Sequence, residues 1–502
     1  MKRLHSPQDA AQWLRTQVRG VLHTDSRRVC AGDGFIAWPG GVTDGRQFVA
    51  SALKQGATAC VVEHAGADAF AWGNDDTSDA IATYDGLKVA SGLIAAAYHE
   101  QPSQALDVVA ITGTNGKTSS AWWLAHALQN AGKRCAIVGT LGVGEVGHLE
   151  VTGMTTPDPV LLQAKLRDMV DAGVNACAIE ASSIGLAEHR LDGTQVRVAM
   201  FTNFTQDHLD YHGDMASYWQ AKLALFSWTG LQAAVVNVDD AHGATLVMQL
   251  QARGGDVRVW TISCDTQAVA GVQQIVARQI QHGTLGLCFD VVEGDEVHHL
   301  DTSLVGQYNV SNVLGVIACL RALGYSLVDA VQACRVLPAV PGRMQTVGEA
   351  DEPLVVIDYA HTPDAVAQAV QALLPVAQSR GGALTCVLGC GGDRDAAKRP
   401  LMAAAAEQYA QHVVLTSDNP RSEDPQTILS QMLTGLQNAA KAKVIADRAQ
   451  AIGQTVQHAR AQDVVLVAGK GHEDYQEISG VKHPFSDVQH VRDALVQRRA
   501  HV

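Results

Sequence analysis

The chain has 502 residues, of which 47% are hydrophobic and 18% charged, a composition suited to sizeable buried cores and a length suited to about three domains. A formal net charge of −14 argues against a nucleic-acid partner, because phosphate backbones reward basic faces. It leaves anionic small molecules open as substrates, since these need only local positive groups.

The first stretch, "MKRLHSPQDAAQWLRTQVRG", opens on two basic residues but has no uninterrupted apolar core, so it does not read as a signal peptide. No apolar run approaches the length of a membrane span. The ten cysteines are scattered singly, and Cys386 and Cys390, the closest pair, lack zinc-type company. This suits buried thiols in a reducing cytosol, and the expected location is cytoplasmic. The first hundred residues read as a small α/β unit, with "GFIAWPG" and "TACVVEH" as strands. The expected domains are residues 1–105, 106–341 and 342–502.

From about Leu106, short apolar runs alternate with longer helical patterns, as in βαβ units. "VVAI" (108–111) is apolar at successive positions, as a strand covered on both faces must be. "SSAWWLAHALQNAGKR" puts Trp123, Leu124, Ala127, Leu128 and Ala131 at helical spacing, with Gly132 as a stop. "CAIVGTLGV" reads as the next strand. Between the first strand and the helix lies "TGTNGKTSS". A glycine-rich turn entering a helix aims backbone N–H groups and the helix dipole at an anion. Gly113 and Gly116 give the tight backbone, Lys117 would reach the outer phosphates, and the Thr118 hydroxyl suits Mg²⁺. Ile111 stands where the common phosphate loop has its first glycine, so this is a variant of that loop for a nucleoside triphosphate.

"CAIEASS" ends an apolar strand at Glu180, bringing a carboxylate to the ligand edge of the sheet. "AMFTNFTQDHLDYHGD" clusters Asp207, His208, Asp210 and His212 after another strand. Mg²⁺ prefers oxygen ligands, so Glu180 with Thr118 is ordinary, and the histidines read equally as loop hydrogen-bonders. Lys222, among apolar helix positions in "SYWQAKLALFS", reads by itself as a snorkelling surface lysine. A second α/β series follows Gly342. "EPLVVIDYAHTPD", "LTCVLGCGGDRD", "HVVLTSDNPR" and "DVVLVAGKGHED" each run an apolar strand into a polar or glycine-rich loop. Ligands of open α/β sheets sit beyond the carboxyl ends of strands, so four such loops point to one site. By itself "DNPR" reads as an Asx-type turn with proline.

Nine motifs carry a resemblance: "TGTNGKTS", "IEASSIGLAEHR", "TNFTQDHLDYHGDMASYWQAK", "GQYNVSN", "PGRMQ", "DYAHTPDA", "GCGGDRDAAKRPLM", "DNPR" and "GKGHEDYQ". In this order, and with "TDSRRVCAGDGFIAWPG" near the amino terminus, the chain resembles the Mur ligases over nearly its whole length. Within that family it is most similar to the branch that adds 2,6-diaminopimelate. The resemblance implies a three-domain α/β architecture, with a central P-loop ATPase domain and a Rossmann-like C-terminal domain. It implies ATP-dependent addition of meso-diaminopimelate to UDP-N-acetylmuramoyl-L-alanyl-D-glutamate through an acyl phosphate, with ATP and Mg²⁺ and with a monomeric enzyme. The partners are these small molecules, with no nucleic acid and no membrane span.

Residue by residue, the resemblance gives the uridine diphosphate end to Thr24, Ser26 and the Gly41–Val42–Thr43 turn. The muramoyl dipeptide goes to Thr155, Thr156, Ser182, Glu188 and Arg190. ATP goes to Gly113, Thr114, Asn115, Gly116, Lys117, Thr118 and Ser119, with Asn309 and Asn312 at the adenine and Asp358 at the ribose. Arg343 approaches the phosphates. Mg²⁺ is held by Thr118, Glu180, His208 and Lys222, the last as a carbamate, so that Lys117, Lys222, His208 and Arg343 form the catalytic group. Diaminopimelate is selected by Asp418, Asn419, Pro420 and Arg421 of "DNPR", with Arg394, Gly469 and Glu473. Two positions depart from the family: Ile184 replaces a frequent histidine, and Glu188 a usual glutamine. The alternatives are a lysine-adding, D-alanyl-D-alanine-adding or folylpolyglutamate-type relative and, from another class, a regulatory or motor P-loop NTPase that synthesises nothing.

Overall fold

The computed structural model describes residues 1–41, 43–72, 79–265, 269–282, 286–349 and 351–500. Of its four sheets, three large ones are built around apolar strands, and the fourth is the two-stranded hairpin Tyr475–Ile478 and Val481–Pro484. Val108, Val109, Ala110 and Ile111 are all fully buried, which requires a helical layer on each face. The first sheet has five parallel strands, in the spatial order Lys2–Leu4, Ile81–Tyr84, Ala59–Glu63, Gly34–Ala37 and Leu22–His23. The "GFIAWPG" and "TACVVEH" strands are both in it.

The central sheet has ten strands. Asp107–Thr112, which feeds the phosphate loop, lies between Val198–Phe201 and Ala176–Glu180, parallel to both. The expected single strand "CAIVGTLGV" is instead two. Cys135–Gly139 ends where the Glu180 carboxylate accepts the Thr140 N–H at 2.8 Å, and the chain turns back so that Gly142–Glu145 pairs antiparallel with it. At the far side, Gln273–His282, Leu287–Glu293 and Glu296–Asp301 extend the sheet as an antiparallel arm. The third sheet runs Leu354–Asp358, Val464–Ala468, Leu384–Leu388, His412–Leu415 and Lys443–Val444 in parallel, with Gln345–Val347 antiparallel on one edge. Its four ligand loops all leave the carboxyl ends of strands.

The third sheet's loops dock on the phosphate loop. Asn115 Nδ2 donates to Asp364 Oδ2 at 3.0 Å, and Arg343 Nη2 donates to Thr118 Oγ1 at 3.3 Å. Beside them bare backbone meets bare backbone: a Cβ on Gly342 would lie 2.1 Å from the His472 nitrogen, and one on Gly471 2.6 Å from the Gly342 oxygen. The third domain is pinned internally by Arg448 and Asp487, a fully buried ion pair with N–O distances of 2.8 and 2.6 Å. Arg448 also donates to the carbonyls of Ser417 and Ala468, the residues before "DNPR" and before Gly469.

Candidate active site

The phosphate loop is built as its sequence requires. Gly113 and Gly116 have φ of 146° and 86°, and a Cβ would lie 1.9 Å from Thr202 Oγ1 at the first and 2.4 Å from Asn312 Oδ1 at the second. Only glycine fits such positions. The helix Lys117–Asn130 starts directly after them. Lys117 folds back, its Nζ donating to the Gly113 and Thr114 carbonyls at 2.9 and 2.8 Å. Burial pulls its pKa below the ordinary lysine value, against the pull of Glu180 and Asp207.

Glu180 is 1% exposed. It accepts from the Thr118 hydroxyl at 2.8 Å and from the Thr140 N–H and hydroxyl at 2.8 and 3.2 Å. Yet no salt bridge to it is found among the described residues. A buried carboxylate in that state is short of positive charge, and with the Thr118 hydroxyl it offers the oxygen donors that Mg²⁺ prefers. The residues therefore fit such an ion. Lys222 is not the snorkelling surface lysine that its helix pattern suggests. It is 1% exposed, lies 4.3 Å from the Tyr218 ring centroid and donates to Gly113 O at 2.8 Å. Burial and the neighbouring Lys117 drive its pKa well below normal. His208 sits in the left-handed region at φ 52°. Burial lowers its imidazole to about 4, Asp207 opposing, so its neutral form is favoured and it is a competent metal ligand. His212, at the end of the short helix Leu209–His212, is a hydrogen-bonder, with Nε2 3.0 Å from Ser183 Oγ.

A cavity of about 680 Å³ collects most of these groups. Thr114–Ser119, Glu180, His208, Asn309, Asn312, Arg343 and Asp358 line it, as do Thr155, Ser182 and Arg190. Thr156 stands behind the wall, its hydroxyl 2.7 Å from Glu180 O, and Arg190 donates to Thr156 O at 3.1 Å. Arg343 stacks 4.4 Å over the Tyr359 ring. Asp358 accepts from Met344 N at 2.6 Å, and burial raises its carboxyl pKa.

A second cavity of about 230 Å³ adjoins the first, and both include Ile184, Asp207, His208, Tyr359, His361 and Arg394 in their walls. The second is also lined by Asp418, Asn419, Arg421, Gly469 and Glu473. Arg421 Nη1 donates to Gly392 O at 2.8 Å and Nε lies 3.6 Å from Glu477. Glu473 accepts at Oε2 from Asn419 Nδ2 and from the buried Lys470, both at 2.8 Å. Pro420 lends its carbonyl to Glu423 N at 3.0 Å, outside the cavity wall.

Neither cavity includes a residue of the first domain. Thr24 and Ser26 are partly exposed there, and Gly41 and Thr43 are exposed beside a turn in which Gly40 N donates to Thr43 O; Val42 lies outside the described residues. Glu188 also stands apart from the cavities. Its carboxylate pairs with Lys88 of the first domain at 2.7 Å and accepts from the Tyr211 hydroxyl, contacts open to an anionic glutamate and weaker for a glutamine. Sequence reasoning missed the groups around Asp207: His361 and Lys398 both lie 3.9 Å from its carboxylate. Burial would raise that carboxyl, but His361, His208 and Lys398 hold it down at about 2. The "DYAHTPD" loop was visible as a ligand loop, but nothing local tied it to Asp207.

Family models match the chain in three segments: "Mur ligase family, catalytic domain" over 20–105, "Mur ligase middle domain" over 111–320, and "Mur ligase, glutamate ligase domain" over 342–471. The UDP-N-acetylmuramoyl-L-alanyl-D-glutamate–2,6-diaminopimelate ligase of Acidovorax sp. (strain JS42) is 55% identical over 498 residues, covering 98% of this chain and 97% of that protein. The ligase of the same name from Janthinobacterium sp. (strain Marseille) is 48% identical, covering 97% and 96%. A solved structure of a ligase of that name is 35% identical, with a TM-score of 0.65 and 95% of each chain covered. With three matched segments in order and full-length relatives at this identity, the chain belongs to the Mur ligase family.

Proposed function

We propose that this ligase joins meso-2,6-diaminopimelate to UDP-N-acetylmuramoyl-L-alanyl-D-glutamate, using ATP, in peptidoglycan precursor synthesis. The observation that carries the reading is the shared wall between the phosphate-loop cavity and the Asp418–Arg421 cavity. An acyl group activated in the first can be met there by an amine held in the second.

A carboxylate is a poor electrophile because its leaving group would be oxide. In the proposed first step a substrate carboxylate oxygen attacks the γ-phosphorus of ATP, the bond to ADP breaks, and an acyl phosphate forms. Positioning and charge neutralisation dominate such a transfer. Lys117 and Arg343 are the cations beside the loop. Thr118, Glu180, His208 and Lys222, the last as a carbamate, would hold Mg²⁺, which when bound supplies charge neutralisation at the phosphates. In the second step the amine attacks the acyl carbon, the nitrogen loses a proton, and phosphate departs. Holding the amine against the acyl carbon is the task of the second cavity, where Arg421 can clamp a carboxylate in two-pronged fashion. Asn309, Asn312 and Asp358 are assigned to the nucleoside. Thr155, Thr156, Ser182 and Arg190 are assigned to the dipeptide, and the exposed turn of the first domain (1–105) to the uridine diphosphate. We assign residues 106–341 to catalysis and 342–502 to amino-acid selection.

No helix among the described residues is long and apolar enough to cross a membrane, which suits the proposed cytoplasmic monomer, for which sedimentation should give about 53.1 kDa. The activity test is phosphate release from ATP with each substrate withheld in turn. Release is expected only when the UDP-muramoyl dipeptide and diaminopimelate are both present. Steady release without an amine would instead favour a regulatory NTPase, and efficient use of lysine would favour the lysine-adding branch.

A further inference from the structure

The antiparallel arm of the central sheet carries chemistry that the ligation reaction does not use. Along Leu287–Glu293, Leu287, Phe289 and Val291 point into the core, so Cys288 and Asp290 point outward. Register places Asp301 directly opposite Cys288, and His299 opposite Asp290. Four side chains therefore form a square on the outer face of two strands. Among the described residues, Cys288, His299 and Asp301 are the sole set of three His, Cys, Asp or Glu residues whose ligand atoms lie within 4.8 Å of one another. His299 Nδ1 lies 2.8 Å from Asp290 Oδ1, and its Nε2 lies 3.4 Å from Asp301 Oδ1. A tetrahedral ion with ligands at about 2.0–2.1 Å holds two of them about 3.4 Å apart. The imidazole is already oriented as in a carboxylate–histidine–metal triad, with Asp290 fixing the ring nitrogen that faces away from the site.

We propose that Cys288, His299 and Asp301 bind a zinc-class divalent cation, with Asp290 orienting the histidine and water completing the coordination. A thiolate and an imidazole select such a metal over Mg²⁺. Binding would displace the protons of Cys288 and His299 and tie the edge strand Glu296–Asp301 to its neighbour. Simple ion pairing of His299 with its two carboxylates, with the Cys288 thiol donating to Gln281 O at 3.7 Å, is the competing account.

The test is Co²⁺ titration of the full-length protein with Mg²⁺ saturating, followed by near-ultraviolet thiolate-to-cobalt absorption. We expect one equivalent of Co²⁺ to give the band, Zn²⁺ to displace it, and Cys288→Ser to abolish it. Cys30→Ser and Cys264→Ser, which remove the other thiols that are not buried, should keep it. Asp290→Asn should weaken Co²⁺ binding about 10–100-fold. Co²⁺ uptake without a thiolate band, a band that survives Cys288→Ser, or unchanged affinity in His299→Gln would overturn the site. Circular dichroism of each variant establishes that the arm is folded.

Discussion

Arg421→Ala separates a selecting arginine from a turn residue. The backbone at 421 is held independently of the side chain: its N–H donates to Glu477 O at 3.0 Å, and its carbonyl accepts from Ser479 N at 2.7 Å. Truncation should therefore leave the loop in place, at a φ of 50° that alanine tolerates no worse than arginine. Removing one side of a desolvated charge pair costs about 2–5 kcal/mol. Arg421 is 22% exposed and 3.6 Å from Glu477, so solvent and a second carboxylate weaken its hold, and the lower end of that range, about 2–3 kcal/mol, applies. At about 1.4 kcal/mol per decade, the KM for diaminopimelate should rise about 30- to 150-fold. The KM for ATP should move little, because the phosphate loop lies in the other cavity. The assay is a paired titration of diaminopimelate and lysine against both proteins. Lysine lacks the distal carboxylate, so it should be a poor substrate throughout, and the mutation should narrow the gap. Equal losses for both amino acids, with the fold intact, would refute the reasoning and leave "DNPR" as a turn.

Lys222→Ala should abolish ligation with little change in melting temperature if the lysine serves as a carbamate, and added short-chain carboxylates should restore part of the rate; no rescue together with a large loss of stability would make Lys222 a packing residue. Lys117→Ala should lose ligation while remaining folded, and most of the activity surviving would remove the phosphate loop from the mechanism. Arg448→Ala strands the buried Asp487 charge, which costs about 3–5 kcal/mol; at about 2–4 °C per kcal/mol for a domain of this size, calorimetry should show the third domain's transition falling by about 6–20 °C. His99 and His472 are both lowered to about 4 by burial, with Arg167 and Arg15 adding at the first and Arg343 at the second. Each stays neutral in the fold while the unfolded chain binds a proton below about 6.5, so their stability contribution is complete above that pH and is lost as pH falls towards 4. Urea midpoints at pH 7 and 5 should therefore drop, and drop less in His99→Gln; an unchanged midpoint would contradict the burial argument.

The phosphate loop was legible because its requirements are local: two glycines, a lysine and a hydroxyl between an all-apolar strand and a helix. Glu180 was legible for the same reason, as the polar end of a buried strand. Lys222 was not, since its helix shows an ordinary amphipathic pattern and its nitrogen finds Gly113 O 109 residues away in sequence. The Glu188–Lys88 pair and the Asp207–His361–Lys398 cluster are equally non-local, because each joins two domains. The antiparallel arm carried little signal, since in "LCFDV" only Asp290 interrupts an apolar run and the period-two exposure of Cys288 and Asp290 emerges from the fold. The turn at Thr140 did have a signal that was passed over, since Gly139 and Gly142 bracket a two-residue turn and pair across it.

The glycine pair between two loops of the third domain, beside its contact with the phosphate loop, bears on thermal motion. Side chains that lock an interface must surrender rotamers, at up to about 2 kcal/mol for a long one, whereas Gly342 and Gly471 have none to surrender. At that point the two loops meet at a separation set by covalent dimensions, and packing there carries no side-chain entropy penalty. The ordering penalty falls instead on Arg343 and Asn115, whose partners Thr118 and Asp364 lie across the seam. A ligand that contacts either side chain would relieve part of that penalty, so nucleotide in the first cavity should make the seating of the third domain tighter and less temperature-dependent.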